Sequence, residues 1–316
     1  MNNHNERKLI ITVDVDSPVK LMNFYKINNV VFDQNKLELF YKTAWNRALD
    51  FFNQRNIKVT FFVVGDELES SEAIKNIILQ AHKYGHEIEN HTYSHPFGLA
   101  NLPEEKIKEE IKMCNQIIAK ITGITPIGFR SPGCSVNSKV INIAVDLGLK
   151  YDSSGFWSIV VPIIRILHGA LFKNGLNNAD FGTVTNKLEQ YPYTPSANNW
   201  LVPDAKSHKF LELPFSRTNV LGLPFYNSFN LWAPSIYSNY ISKKINKPYM
   251  MYLFHIIEFM DLSDGIPNEL AVHPNIKISV KNKIQKSERI ISNLMERYEL
   301  INTRSFVNSF FNGNVH

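Results

Sequence analysis

Between residues 8 and 152, short continuous apolar runs alternate with stretches of helical periodicity, and this rhythm restricts the fold more than any other feature. Lys8 to Val15 carries Leu9, Ile10, Ile11, Thr12 and Val13 in a row, which suits a strand buried on both faces. Lys58 to Val64 is a second such run, and Glu87 to Asn90, Gly128 to Arg130 and Lys150 to Asp152 read as shorter strands. Leu37 to Gln54 sets Phe40, Ala44, Trp45, Ala48 and Phe51 at helical spacing. Ser71 to Tyr84 repeats the pattern and stops at Gly85, a C-terminal cap. A helix opening at Pro103 aligns Ile107, Ile111, Cys114, Ile118 and Ile121, and Asn137 to Leu147 is another. Strand and helix in turn predict an α/β fold with a parallel sheet; the alternation alone leaves barrel and open sheet both standing.

Such folds place their chemistry at the carboxyl ends of the strands. The first run closes on Asp14-Val15-Asp16, the third on His91-Thr92-Tyr93-Ser94-His95. Spaced four apart, His91 and His95 would share one face of a helical turn and could share a small cation. His82 and His86 have the same spacing, but Gly85 lies between them, so they are assigned to the surface or to the support of the site. The long connection from Ser17 to Lys36 is expected to overlie the strand ends.

After Asp152 the rhythm breaks. Phe156 to Phe172 is apolar and is followed by a polar stretch, an insertion at about 156–209 that either packs in the core or touches lipid with its apolar side. Phe210 to Pro214 reads as a strand, as does Tyr249 to His255, which ends on a histidine. The aromatic-rich stretch Phe215 to Tyr240 either lines a sugar or lipid groove or packs internally. Val280 to Tyr298 is an amphipathic helix, and a short strand and helix end the chain near Leu300 to Phe310.

A 44% hydrophobic and 20% charged composition is that of an ordinary globular protein, and a net charge of +5 not gathered into a Lys/Arg run gives no support for nucleic-acid binding. Two cysteines, Cys114 and Cys134, exclude a disulfide framework and read as buried thiols. The polar N-terminus carries no apolar leader and no run suits a membrane span, so a cytoplasmic protein is the expectation.

Taken together the strand ends resemble the motifs of the polysaccharide deacetylase family, the NodB-like esterases of carbohydrate esterase family 4. Thr12-Val13-Asp14-Val15-Asp16 is similar to its first motif, His91 to His95 to its second, Arg130-Ser131-Pro132-Gly133 to its third, Asp152 with Phe156 or Trp157 to its fourth, and Leu253-Phe254-His255 to its fifth. The family's commonest first motif has adjacent aspartates. Here Val15 separates them, as in a subgroup with peptidoglycan deacetylase-like, allantoinase-like and lipid-linked aminoarabinose deformylase-like members.

The resemblance implies one distorted (β/α) barrel of the NodB type with about seven parallel strands, a single catalytic domain over 1–316. It implies a divalent metal, zinc first with cobalt, nickel, manganese or iron admissible, held by Asp16, His91 and His95. Asp14 would be the general base, held ionised by Arg130, and His255 the general acid, oriented by Asp152. Tyr93, through a nearby backbone N–H, with Pro132, Phe156 and Trp157, would line the acyl pocket. The implied reaction is removal of an N-acetyl group from an amino sugar. The expected partner is an N-acylated amino sugar, or a polyprenyl-phosphate-linked glycan met at the inner membrane surface. A deformylase or cyclic-amide hydrolase with the same site, and a non-catalytic glycan- or lipid-carrier-binding protein, are the alternatives.

Overall fold

A computed structural model describes residues 7–158, 188–206, 209–219 and 222–313. Most of the apolar insertion, with the choice between core and lipid, therefore lies outside the described residues. Seven strands form one parallel sheet in the order β6-β5-β4-β3-β2-β1-β7, with β8 paired to β1. In chain order they are β1 (Lys8–Asp14), β2 (Thr60–Val63), β3 (Glu87–Asn90), β4 (Gly128–Phe129), β5 (Tyr151–Asp152), β6 (Leu211–Glu212), β7 (Tyr249–His255) and β8 (Glu299–Leu300). Seven parallel strands with helices between them are the expected complement of a NodB-type (β/α) barrel. Contacts gather the chain into two compact units.

The first unit comprises Met1–Val63, Glu67–Ile88 and Phe225–Thr303. Its centre is β1, fully buried along its apolar run and paired to β7 over its whole length, from Lys8 opposite Tyr249 to Asp14 opposite His255. Asp14 also stands opposite Phe62 of β2. Helix α2 (Gln34–Asn53) starts where the Asp33 carboxylate accepts the Lys36 N–H at 2.9 Å. It buries Phe40, Tyr41, Ala44, Trp45, Ala48 and Phe52, and Trp45 stacks on Phe61 of β2 at 4.5 Å. A fully buried Phe such as Phe40 or Phe52 contributes about 1.5–3 kcal/mol on leaving water.

The connection from Ser17 to Lys36 holds a helix of its own, α1 (Pro18–Tyr25), with Ser17 as N-cap and proline in the first turn. α4 (Glu72–Lys83) ends at Tyr84, followed by Gly85 at φ 85°, the left-handed residue its sequence position requires. His86 is not a surface residue. It is 2% exposed, and its Nδ1 accepts the Val59 N–H at 3.2 Å. Past β6 the unit adds α7 (Asn227–Trp232), α8 (Ser235–Lys244) and α9 (Val280–Met295).

The second unit comprises Val64–Asp66, Glu89–Pro224 and Arg304–His316. β3, β4, β5 and β6 pair in parallel, with Gly128 opposite Tyr151 and Asp152 opposite Glu212. Over them lie α5 (Glu104–Thr122) and α6 (Ser138–Asp146), whose Ile107, Ile111, Val140, Ile141 and Ala144 build a core with Phe129. Pro103 caps α5 rather than opening it. Cys114 is buried as expected, whereas Cys134 is half-buried. α3 (Gly65–Glu69) and α10 (Thr303–Phe311) complete the α-helices of the described residues.

Candidate active site

In the first unit, equal register brings Asp14 and His255 to the ends of neighbouring strands. Asp14 is 6% exposed and Asp16 9%. Beyond Asp16, the Ser17 hydroxyl bonds Glu67, which also accepts from Tyr41 at 2.5 Å, so a buried polar network anchors the start of α1.

His255 is oriented by its own side of the sheet. After β7 the chain turns through the short 3₁₀ helix Ile256–Phe259, which buries Glu258. Glu258 accepts from Asn227 at 2.6 Å and from the Ser228 hydroxyl, both at the start of α7. Ser228 Oγ lies 3.0 Å from His255 Nδ1, and the Glu258 carboxylate 3.6 Å. A hydroxyl that spends its proton on Glu258 can only accept from Nδ1, so Nδ1 carries a hydrogen and Nε2 is the nitrogen left for chemistry. Burial alone would lower the His255 pKa. The hydrogen bond to Glu258 and the charges of Asp14, Glu258 and Asp16 overcome it and push the value up to about 9.

The residue that orients His255 is therefore Glu258, not Asp152. Asp152 bonds Ser154, whose hydroxyl donates at 2.6 Å, and faces Glu212 across the β5–β6 pair. Both carboxyls are fully buried, and burial raises both pKa values; the Asp152 charge raises Glu212 further, while the Glu212 bond and Arg130 hold Asp152 back. Two like charges cannot both persist there, so burial and mutual repulsion favour one proton held by the pair. The physical reason is topological: Asp152's own strand neighbour supplies its partner.

In the second unit, His91 and His95 do not share a helical turn. Thr92 and His95 have φ of 68° and 62°, left-handed values that no α-helix contains. Asn90 imposes the turn: its Oδ1 accepts the Thr92 N–H at 2.7 Å, while its Nδ2 donates to Ile111 O and Asn115 Oδ1, both at 2.7 Å. Thr92 Oγ1 then accepts the His95 N–H at 3.1 Å. The rings meet edge to face at 4.9 Å. His91 Nδ1 lies 2.7 Å from the Arg130 carbonyl, which can only accept, so Nε2 presents a lone pair.

Asp16, His91 and His95 each offer one ligand atom, and these atoms lie within 4.8 Å of one another. All three residues are buried. One carboxylate oxygen and two imidazole nitrogens, one of them fixed as the correct tautomer, are a donor set that fits zinc or another first-row divalent ion.

Around these histidines, Arg130 is 1% exposed and donates from Nε to Ser153 O and from an Nη to Ser153 Oγ, both at 2.8 Å. Its guanidinium sits 4.6 Å over the Phe215 ring, against which Phe156 packs edge-on at 5.8 Å. Pro132 is buried at the start of a short 3₁₀ turn. Tyr93 is half-buried, its carbonyl accepting the Asp66 N–H at 2.8 Å. Trp157 is half-buried under the guanidinium of Arg217, 4.4 Å away.

Residues 25–151 match the family model described as polysaccharide deacetylase. A peptidoglycan-N-acetylglucosamine deacetylase of Bacillus cereus is 37% identical over 86 residues, 27% of this chain and 30% of that protein. The chain spans less than half the length of the curated relatives it matches. Among solved structures, a Mycobacterium smegmatis protein assigned as a polysaccharide deacetylase superposes with a TM-score of 0.58 at 15% identity, covering 98% of this chain and 92% of that one. A CE4 family pseudoenzyme from Bacillus anthracis superposes with a TM-score of 0.50 at 12% identity, over 96% of this chain and 66% of that one. These two likenesses establish the fold alone.

Proposed function

We propose that this chain, whose residues 25–151 match the polysaccharide deacetylase model, acts as a member of that family: a metal-dependent amide hydrolase that removes the N-acetyl group from an amino sugar. The observation that carries the reading is the cluster of Asp16, His91 and His95, three buried donors within 4.8 Å. These residues would hold a divalent cation, which when bound acidifies water and polarises a carbonyl. Asp14, in our reading, accepts the proton of the attacking water. Arg130, fixed by Ser153, is assigned as the partner of Asp14. His255, protonated on Nδ1 by virtue of Ser228 and Glu258, delivers the Nε2 proton to the departing amine. Tyr93, Pro132, Phe156 and Trp157 are assigned to the acyl pocket, within one catalytic domain spanning the chain.

Within this substrate class we favour an N-acetylated glycan carried on a polyprenyl phosphate and met at the cytoplasmic face of a membrane. The apolar composition of Phe156 to Phe172 supports that choice. Amine release from chitooligosaccharides, peptidoglycan fragments and lipid-linked N-acetyl sugars, followed for wild type and Asp14→Asn, tests the proposal. Turnover lost in the variant with metal retained is expected. Equal turnover in both would remove Asp14 from its role, and formate or ring-opened product in place of acetate would redirect the substrate class. The fold shared with the CE4 family pseudoenzyme motivates a second reading, a glycan-binding protein without turnover. That reading predicts glycan binding with no amine released under any metal.

A further inference from the structure

Helix α8 has its amphipathicity reversed. A surface helix ordinarily buries its apolar stripe and shows its polar face to water. Here the buried residues are serines: Ser238, 1% exposed, donates to Asn230 O at 2.9 Å, and Ser242, fully buried, accepts from Asn293 of α9 at 2.8 Å. The outward side carries Ile236, 87% exposed, and Tyr240, 60% exposed, one turn apart, with Trp232 at 67% closing the preceding helix. These are three of the most exposed large apolar side chains among the described residues. An isolated exposed apolar residue is unremarkable, but a Trp, an Ile and a Tyr presented together on two consecutive helices are not.

The charge around them has one sign. From Asn227 to Lys247 there is no acidic residue, and exposed Lys243 and Lys244 follow Tyr240 on the same helix. The groove beside α8, lined by Leu231, Ser235, Ile278, Asn282, Lys286 and Arg289, adds cations and no carboxylate. An aromatic and aliphatic face bordered by lysine and arginine is complementary to the headgroup layer of an anionic bilayer, where Trp and Tyr rings settle and cations meet phosphates.

We propose that the α7–α8 face, with Trp232, Ile236 and Tyr240 inserted and Lys243, Lys244 and Arg289 around them, docks this protein on anionic lipid bilayers. The face connects directly to the site. Ser228, which bonds His255, and Trp232 are four residues apart on α7, about 6 Å along its axis. A bilayer-bound molecule would thus hold His255 close to the headgroup layer, whichever acyl group the site removes.

The test is co-sedimentation with vesicles of phosphatidylcholine alone and of phosphatidylcholine with phosphatidylglycerol, using wild type, a Trp232→Ser/Ile236→Ser/Tyr240→Ser variant and a Lys243→Glu/Lys244→Glu variant. All five positions are exposed, and circular dichroism verifies that the variants fold. We expect wild type to bind anionic vesicles at least tenfold more tightly than neutral ones, more weakly as salt rises, and both variants to lose that binding. Trp232 fluorescence should shift to the blue on binding, a shift absent in Trp232→Phe. Equal sedimentation of the apolar variant and wild type would overturn the proposal. So would an absence of anionic-lipid binding together with a wild-type dimer, detected by light scattering, that the apolar variant abolishes, because the face would then belong to a second copy.

Discussion

Glu258 stands 3.6 Å from His255 Nδ1, with Ser228 bonded to both. A buried carboxylate behind an imidazole fixes its tautomer and favours its charged form, as a general acid at neutral pH requires. The Glu258→Gln variant removes the charge and keeps the shape. His255, raised to about 9 chiefly against the effect of burial, then loses its strongest support and its pKa falls. A group that works protonated loses activity as pH rises through its pKa, so the basic limb of the kcat/KM profile should move to lower pH in the variant. Because the charge of Asp16 is one cause of that upward shift, a cation held there would offset part of it, so the wild-type limb is expected at or below 9. At neutral pH we expect kcat/KM to fall on the order of 10²-fold. An unshifted limb in Glu258→Gln would leave Glu258 a purely structural role.

The turn that aims His91 and His95 depends on Asn90, so Asn90→Ala should loosen metal binding without deleting a ligand. A fully buried amide satisfying Thr92, Ile111 and Asn115 resembles in effect the outer groups that hold metal ligands, whose loss costs roughly 10- to 100-fold in affinity. Zinc competition titrations would measure it. His91→Ala should abolish stoichiometric binding outright, and if Asn90→Ala matched wild type the turn would be held by backbone alone.

Much of this site could be read from strand ends. An apolar run buried on both faces and closing on Asp or His has few places to put that side chain, and β1, β3 and β7 end as their sequences indicate. The local geometry after β3 could not be read, because a four-residue histidine spacing fits a helical turn and a left-handed loop equally. Asn90, closing a strand beside His91, was the available signal. α1 also had a signal, Ser17-Pro18 being a cap followed by a first-turn proline. Glu258 and Glu212 had none: each sits among apolar neighbours, and only strand pairing and the 3₁₀ turn after β7 reveal that one supports His255 and the other shares a proton with Asp152.

Gly128 is required by a neighbour. Its register partner is Tyr151, and a Cβ at 128 would lie 1.9 Å from that ring's Cζ. Both residues are buried, and the Gly128 N–H is committed to the buried Glu89 carboxylate at 2.7 Å, so the strand cannot move aside freely. Gly128→Ala should cost about 1–3 kcal/mol in urea unfolding. Adding Tyr151→Leu should recover part of that loss, a coupling that two independent defects would not show.

His86 is buried behind β2, its Nδ1 accepting from Val59 and its ring edge-on to Phe61 at 5.4 Å. Burial, with a smaller contribution from Lys58, lowers its pKa from 6.5 to about 4. The native state therefore stays neutral where the unfolded chain takes up a proton. Stability from this group is unaffected above pH 6.5 and falls as pH drops from there toward 4, by up to about 3 kcal/mol. In His86→Asn the amide oxygen can replace Nδ1 as acceptor for Val59 while nothing titrates. Urea midpoints for both proteins at pH 7 and pH 4.5 give the comparison. Wild type should lose clearly more stability than His86→Asn over that interval, whereas parallel losses would remove His86 as the source of the acid sensitivity.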